Sequence, residues 1–162
     1  MASKPQPLTV GTDAPDFTAT THDGETVSLS ALRGSPVALY FYPKDATPGC
    51  TAQACNLRDN IDALAAAGVA VVGVSPDGLE SHEKFATKHE LPFPLVADTD
   101  HEVIEAYGVW GEKQNYGKTY MGLQRTTFLI DADGTIVHVF KRPKTKDHTA
   151  EILRKLDEAT GA

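Results

Sequence analysis

The chain has little cysteine, no long apolar run and a deficit of positive charge, and each shortage excludes a class of protein. With 2 cysteines among 162 residues, a disulfide-stapled scaffold is out of reach. No apolar stretch approaches the roughly 18–20 residues of a membrane span, so no membrane role is expected. Lys and Arg number 15 against 22 Asp and Glu, a formal net charge of -7. Such a surface does not attract a phosphate backbone, and nucleic-acid binding is not expected. Glycine-rich phosphate loops are missing as well. The 6 histidines are scattered, and none pairs with a cysteine at zinc-finger spacing. His101-Glu102-Val103-Ile104-Glu105 has a glutamate where the H-E-x-x-H zinc motif needs its second histidine. Neither a metal nor a cofactor is expected.

What is present is the composition of one soluble domain. Hydrophobic residues make up 41% and charged residues 23%, and the length suits a single core. Residues 1–7, with two prolines, read as a flexible arm, and residues 8–162 as a single domain. That arm lacks the apolar stretch of a secretory signal, so a cytoplasmic setting is expected. There, a close cysteine pair is more often catalytic, redox-sensing or metal-binding than structural.

Along the chain, Phe17–Thr20 and Thr26–Leu29 flank an Asp23-Gly24 turn and predict an N-terminal hairpin. Val37–Tyr42 and Val69–Val74 are continuous apolar runs, the pattern of strands buried on both faces. Between them, Leu57, Ile61 and Leu64 recur at helical spacing, predicting one helix from Pro48 to about Ala67. A shorter helix to His89, a strand at Leu95-Val96 and a helix near His101–Tyr107 follow. Thr126–Ile130 and Thr135–Phe140 read as a hairpin, and Asp147–Thr160 as a last helix carrying Ile152, Leu153 and Leu156 inward. Trp110, Tyr116 and Tyr120 read as packing anchors of a long loop. The order implies a mixed α/β sheet covered on both faces.

The chemistry concentrates where the first buried strand meets the long helix. Thr47 is a favoured N-cap, Pro48 suits the first helical position, and Cys50 then falls at the third. Unpaired N–H groups and the helix dipole at that end favour thiolate over thiol. The same cysteine could also be a small buried apolar side chain. Cys55 follows five residues later, about 7.5 Å along the axis and about 140° round from it in an intact helix. Disulfide geometry requires Cα atoms within roughly 4.4–6.8 Å, so a bond between the two requires the first helical turns to unwind. A permanent disulfide is not expected and a transient one is possible.

The segment Pro43-Lys44-Asp45-Ala46-Thr47-Pro48-Gly49-Cys50-Thr51-Ala52-Gln53-Ala54-Cys55 resembles the active-site segment of peroxiredoxins, in particular the bacterioferritin comigratory protein or peroxiredoxin Q subfamily. Tyr107–Lys113, Tyr116–Gly122 and Arg125–Asp131 resemble later segments of that subfamily, and the likeness spans about Leu8 to Leu156. It implies a thioredoxin-like fold, with a central mixed β-sheet flanked by helices and an N-terminal hairpin extension. It also implies reduction of hydrogen peroxide and organic hydroperoxides, with thioredoxin or a similar dithiol as reductant. By match to the motif, Cys50 is the peroxidatic and Cys55 the resolving cysteine. Thr47 orients peroxide, Pro43 shields the pocket, and Arg125 stabilises thiolate and transition state. Gln53 stands where the subfamily commonly has glutamate, which keeps a negative charge away from the thiolate. With both cysteines on one helix, a monomer is expected. A redox sensor that switches shape without turnover is the competing reading; a general disulfide oxidoreductase lacks its C-x-x-C spacing.

Overall fold

The computed structural model describes residues 4–115 and 117–160. In chain order its elements are β1 (Thr18–Thr20), β2 (Thr26–Ser28), a 3-10 turn at Ser30–Leu32, β3 (Val37–Phe41), α1 (Pro48–Asp59), α2 (Ile61–Ala66), β4 (Ala70–Ser75) and α3 (Leu79–His89). There follow β5 (Leu95–Ala97), α4 (Glu102–Ala106), β6 (Trp110–Asn115), β7 (Lys118–Leu123), β8 (Thr126–Ile130), β9 (Ile136–Phe140) and α5 (His148–Thr160).

Alternate residues of β3 divide the interior in two. Ala38, Tyr40 and Tyr42 face one core with Cys50, Leu57, Leu64, Phe85, Ile152 and Leu156, beneath α1, α2, α3 and α5. Val37, Leu39 and Phe41 face a second core with Ile104, Tyr107, Phe128 and Ile130. Burial on both faces is why the run is apolar at every position. The five-stranded sheet has the order β5-β4-β3-β8-β9. The pairs β3–β4 and β4–β5 are parallel, whereas β3–β8 and β8–β9 are antiparallel. This is the mixed sheet flanked by helices that the sequence implies. The hairpin β1–β2 docks at the β5 edge, where Thr21 bridges Val96. Gly73 on β4 makes room for the Tyr40 ring: a Cβ there would lie 2.9 Å from Tyr40 Cζ.

Two features differ from the sequence reading. The helix expected over Pro48–Ala67 is two helices, broken at Asn60, whose φ of -115° and ψ of 18° are not helical. The alanine-rich pattern continues across the break, so periodicity alone does not reveal it. Where a loop is expected, β6 and β7 pair antiparallel as a second hairpin. Most of β7 is exposed, so its sequence shows no apolar alternation. Trp110 does pack, against the second core and the His101 ring at 4.3 Å, but Tyr120 is exposed. Tyr116 lies outside the described residues.

Candidate active site

The site is built where β3 ends and α1 begins. Strand pairing sets Phe41 opposite Thr126, so the residue before β8, Arg125, arrives beside the β3–α1 connection. Arg125 Nη2 donates to Cys50 Sγ at 3.2 Å, and Nη1 donates to Gln53 Oε1 at 2.7 Å. One guanidinium thus holds two side chains of the first turns of α1. Gly49 leaves space for it: a Cβ at that position would sit 3.1 Å from Arg125 Nη2. Cys50 itself is buried, 1% exposed, and both cysteines are free thiols.

Thr47 has the extended backbone of an N-cap (φ -82°, ψ 154°) without a capping side chain. Its hydroxyl donates to the Lys44 carbonyl at 2.9 Å instead. The cap expected of Thr47 is therefore one of backbone geometry only; its Oγ1 keeps lone pairs for another donor. Pro43 is half-buried at the end of β3, and Pro48 occupies the first helical turn as expected.

A buried polar network fixes the connection. Asp45 accepts from Tyr42 Oη at 2.6 Å, Ser81 Oγ at 2.8 Å and His82 Nδ1 at 2.6 Å. His82 Nε2 in turn meets the Val96 carbonyl at 2.9 Å. His82 thus bridges the Asp45 carboxylate and the β5 backbone. Burial alone would raise the Asp45 carboxyl, but hydrogen bonds from His82, Tyr42 and Ser81 outweigh it and hold it below its ordinary value. The Asp45 amide donates to Asp77 Oδ2 at 2.6 Å. These ties hold the next residue, Ala46, in a left-handed conformation (φ 63°) that costs an L-residue about 1–2 kcal/mol.

Under Cys50 lies Tyr40, fully buried, its hydroxyl without a hydrogen-bond partner among the described residues. Burial first, then the nearby Cys50 and Asp45, hold its phenol well above the ordinary value, so it stays protonated. Gln53 Nε2 is likewise buried and unpaired. Cys55 is half-buried, with Sγ 3.7 Å from His89 Nδ1 at the end of α3. A separate groove of about 570 Å³, lined by Asp16, Asp98, Val103 and Tyr107 among others, contains neither cysteine.

The AhpC/TSA family matches residues 10–139, a span that includes both cysteines and Arg125. The chain belongs to this family and is a peroxiredoxin, a thiol peroxidase. It is 53% identical over 152 residues to Peroxiredoxin Bcp of Escherichia coli strain K12, covering 94% of this chain and 97% of that one. Identity to Peroxiredoxin Bcp of Bacillus subtilis is 47% over 151 residues, 93% of this chain and 96% of the other. Among solved structures, the bacterioferritin comigratory protein of Xanthomonas campestris, described for its alkyl peroxide reduction, superposes with a TM-score of 0.84 at 33% identity. That match covers 94% of this chain and 98% of the Xanthomonas chain. BcpB of Mycobacterium tuberculosis gives 0.81 at 33% identity over 92% and 96% of the two chains. The fold is accordingly the thioredoxin-like one of these peroxiredoxins.

Asp45, His82, Tyr40 and His89 were not legible as site residues. Asp45 lay inside the quoted motif, but nothing in the spacing joins it to His82 on α3. Tyr40 read as one more apolar position of a buried strand. His89 read as the end of a helix. No helix among the described residues is long and apolar enough to cross a membrane.

Proposed function

We propose that this peroxiredoxin reduces hydrogen peroxide and organic hydroperoxides through a Cys50 sulfenic acid, resolved by Cys55 as an intramolecular disulfide. The observation that carries the reading is the contact from Arg125 Nη2 to Cys50 Sγ at 3.2 Å, at the N-terminal end of α1. A guanidinium is a permanent cation, and with the helix dipole it favours a thiolate at that point. The thiolate attacks one peroxide oxygen, the O–O bond breaks, and the leaving oxygen departs as water or alcohol. Negative charge moves from sulfur to the leaving oxygen along this line, and Arg125 is placed to offset it throughout.

Thr47 serves this step with its hydroxyl. Anchored to the Lys44 carbonyl, Oγ1 is set to accept a hydrogen bond from peroxide and so orient it. Pro43 covers the pocket on the β3 side and excludes water. The buried Tyr40 hydroxyl, free of a protein partner, is a donor available beside Cys50.

The sulfenic acid then waits for Cys55. In the intact helix the two side chains point apart, so the N-terminal turns of α1 open before the disulfide forms. A dithiol reductant of the thioredoxin kind returns both cysteines to thiols. A reducing compartment such as the cytoplasm suits that cycle, and a monomer suffices because one helix carries both sulfurs.

Peroxide consumption at substoichiometric protein, with thioredoxin, its reductase and NADPH, tests the whole reading. Sustained turnover is expected in the wild type, none in Cys50→Ser, and stalled sulfenic acid in Cys55→Ser. Intact-mass analysis with thiol trapping after one equivalent of peroxide identifies each species. One turnover followed by arrest in the wild type would instead support a redox sensor.

A further inference from the structure

His89 sits where a base for the resolving cysteine would have to sit. Its Nδ1 lies 3.7 Å from Cys55 Sγ, within the range of a hydrogen bond to sulfur. The pair is held from both sides. Arg58 Nη1 donates to the His89 carbonyl at 2.8 Å, tying the second half of α1 to the end of α3. Next to Cys55, Asn56 Nδ2 donates to the Lys146 carbonyl at 3.0 Å, and Asn56 Oδ1 accepts from the Thr149 amide at 2.8 Å. The imidazole packs edge-on against Phe85 at 5.1 Å.

Burial lowers the affinity of His89 for a proton, and the cations of Lys88 and Arg58 lower it further. Arg58 is paired with Asp59 at 2.8 Å and also feels Glu90, which softens its effect without reversing it. The ring is neutral at pH 7. Its Nδ1 therefore accepts from the Cys55 S–H, and the ring proton resides on Nε2.

We propose that His89 is the general base of the resolving step, taking the Cys55 proton so that Cys55 meets the oxidised Cys50 as a thiolate. The inference rests on the sulfenic acid and disulfide route given under the proposed function. The step balances without a further oxidant. The S–H proton passes to Nδ1, and the Cys55 thiolate attacks Cys50 Sγ. The S–S bond forms as the S–O bond breaks, and hydroxide leaves as water with a proton from the imidazolium or solvent. An ordinary thiol is only a few per cent thiolate at pH 7, so a neighbouring base has a rate to supply. Positioned bases contribute roughly 100-fold or more when fully coupled to the transition state. Because Asn56 and Arg58 anchor the chain around Cys55, the proton acceptor stays beside it while the first turns of α1 open.

Single-turnover experiments on the full chain from about pH 4.5 to pH 9 test this. One equivalent of hydrogen peroxide is added, samples are quenched into a sulfenic-acid trap, and intact mass separates sulfenic acid from disulfide. The burst of sulfenic acid in each sample reports an intact peroxide site. In the wild type, disulfide formation should fall only below the ordinary histidine range. His89→Gln should resolve at least about tenfold more slowly at pH 7 and converge on the wild type toward the alkaline end of the range, where hydroxide replaces the base. Lys88→Glu, which leaves the Cys55–His89 pair in place, should move the acid limb of the profile upward. Equal rates in His89→Gln and wild type at every pH would overturn the proposal. So would slowing by one constant factor at every pH, or an unmoved limb in Lys88→Glu. Absence of any intramolecular disulfide in the wild type would instead remove the route on which it rests.

Discussion

From Pro48 to Ala54, the polar ties of α1 to the rest of the described protein come from one side chain, Arg125, bound to Cys50 Sγ and Gln53 Oε1. From Cys55 to Asp59 they are spread over α3, α5 and the segment just before α5. Asn56 bonds to the Lys146 carbonyl and to both the amide and hydroxyl of Thr149, and Arg58 bonds to the His89 carbonyl. The first half is thus secured by a contact to the sulfur proposed to react, the second by contacts away from that sulfur. On the proposed cycle, oxidation to a neutral sulfenic acid would remove any negative charge on the sulfur that Arg125 meets, and a charge-assisted hydrogen bond that loses its charge falls back to about half its strength. On that cycle oxidation would loosen the half that has to open and leave the other half as a fixed support.

Four substitutions would break or sharpen this contrast. The largest expected effect is Asp45→Asn, which removes the charge from a buried pair supporting the connection into the first half. Leaving His82 without its carboxylate costs about 3–5 kcal/mol, measurable by chemical denaturation. The pH dependence has a definite sign. Asp45 is held below its ordinary 3.8, so its stabilisation is complete above that pH and disappears as pH falls through the lower native value. The wild type should lose stability more steeply than Asp45→Asn across that window.

Arg125→Met strikes the first half directly. Peroxide reduction should fall about 100- to 1000-fold, the scale of losing a preorganised charge-stabilising donor, in stopped-flow measurement of Cys50 oxidation. Amide hydrogen exchange over residues 50–54 should rise, with residues 56–59 unchanged. Asn56→Ala reverses the pattern. Loss of its side-chain bonds to the Lys146 carbonyl and the Thr149 amide should cost about 1–3 kcal/mol and raise exchange in the second half, while the rate of sulfenic acid formation holds. Gly49→Ala is the smallest change. It adds up to about 1 kcal/mol of helix propensity to the first half, offset by crowding of Arg125, whose flexible end can give way. Disulfide formation should slow a few-fold as opening becomes harder, with a stability change under about 1 kcal/mol by thermal denaturation.

The sheet and its helices were largely legible because β3 and β4 are parallel neighbours buried on both faces and advertise it as apolar runs. The β6–β7 hairpin was not, since most of β7 is exposed and leaves no pattern of two to detect. The cysteine at a helix start was legible from Thr47, Pro48 and the strand before them. Its juxtaposition with Arg125 was not a matter of spacing: pairing of Phe41 with Thr126 creates it, and sequence alone carried it only through family likeness. Asp45–His82 and Cys55–His89 join residues of α3 to the β3–α1 region through tertiary packing that neither partner's local sequence records.

The fixed position of Asp45 has a consequence for competition between thiols. With Asp45 clamped at one end and Asn56 at the other, the opened segment is a tether of only ten residues. A short flexible tether gives the groups on it an effective concentration in the millimolar range. A free thiol in solution would need to approach that concentration before it captured the oxidised Cys50 ahead of Cys55.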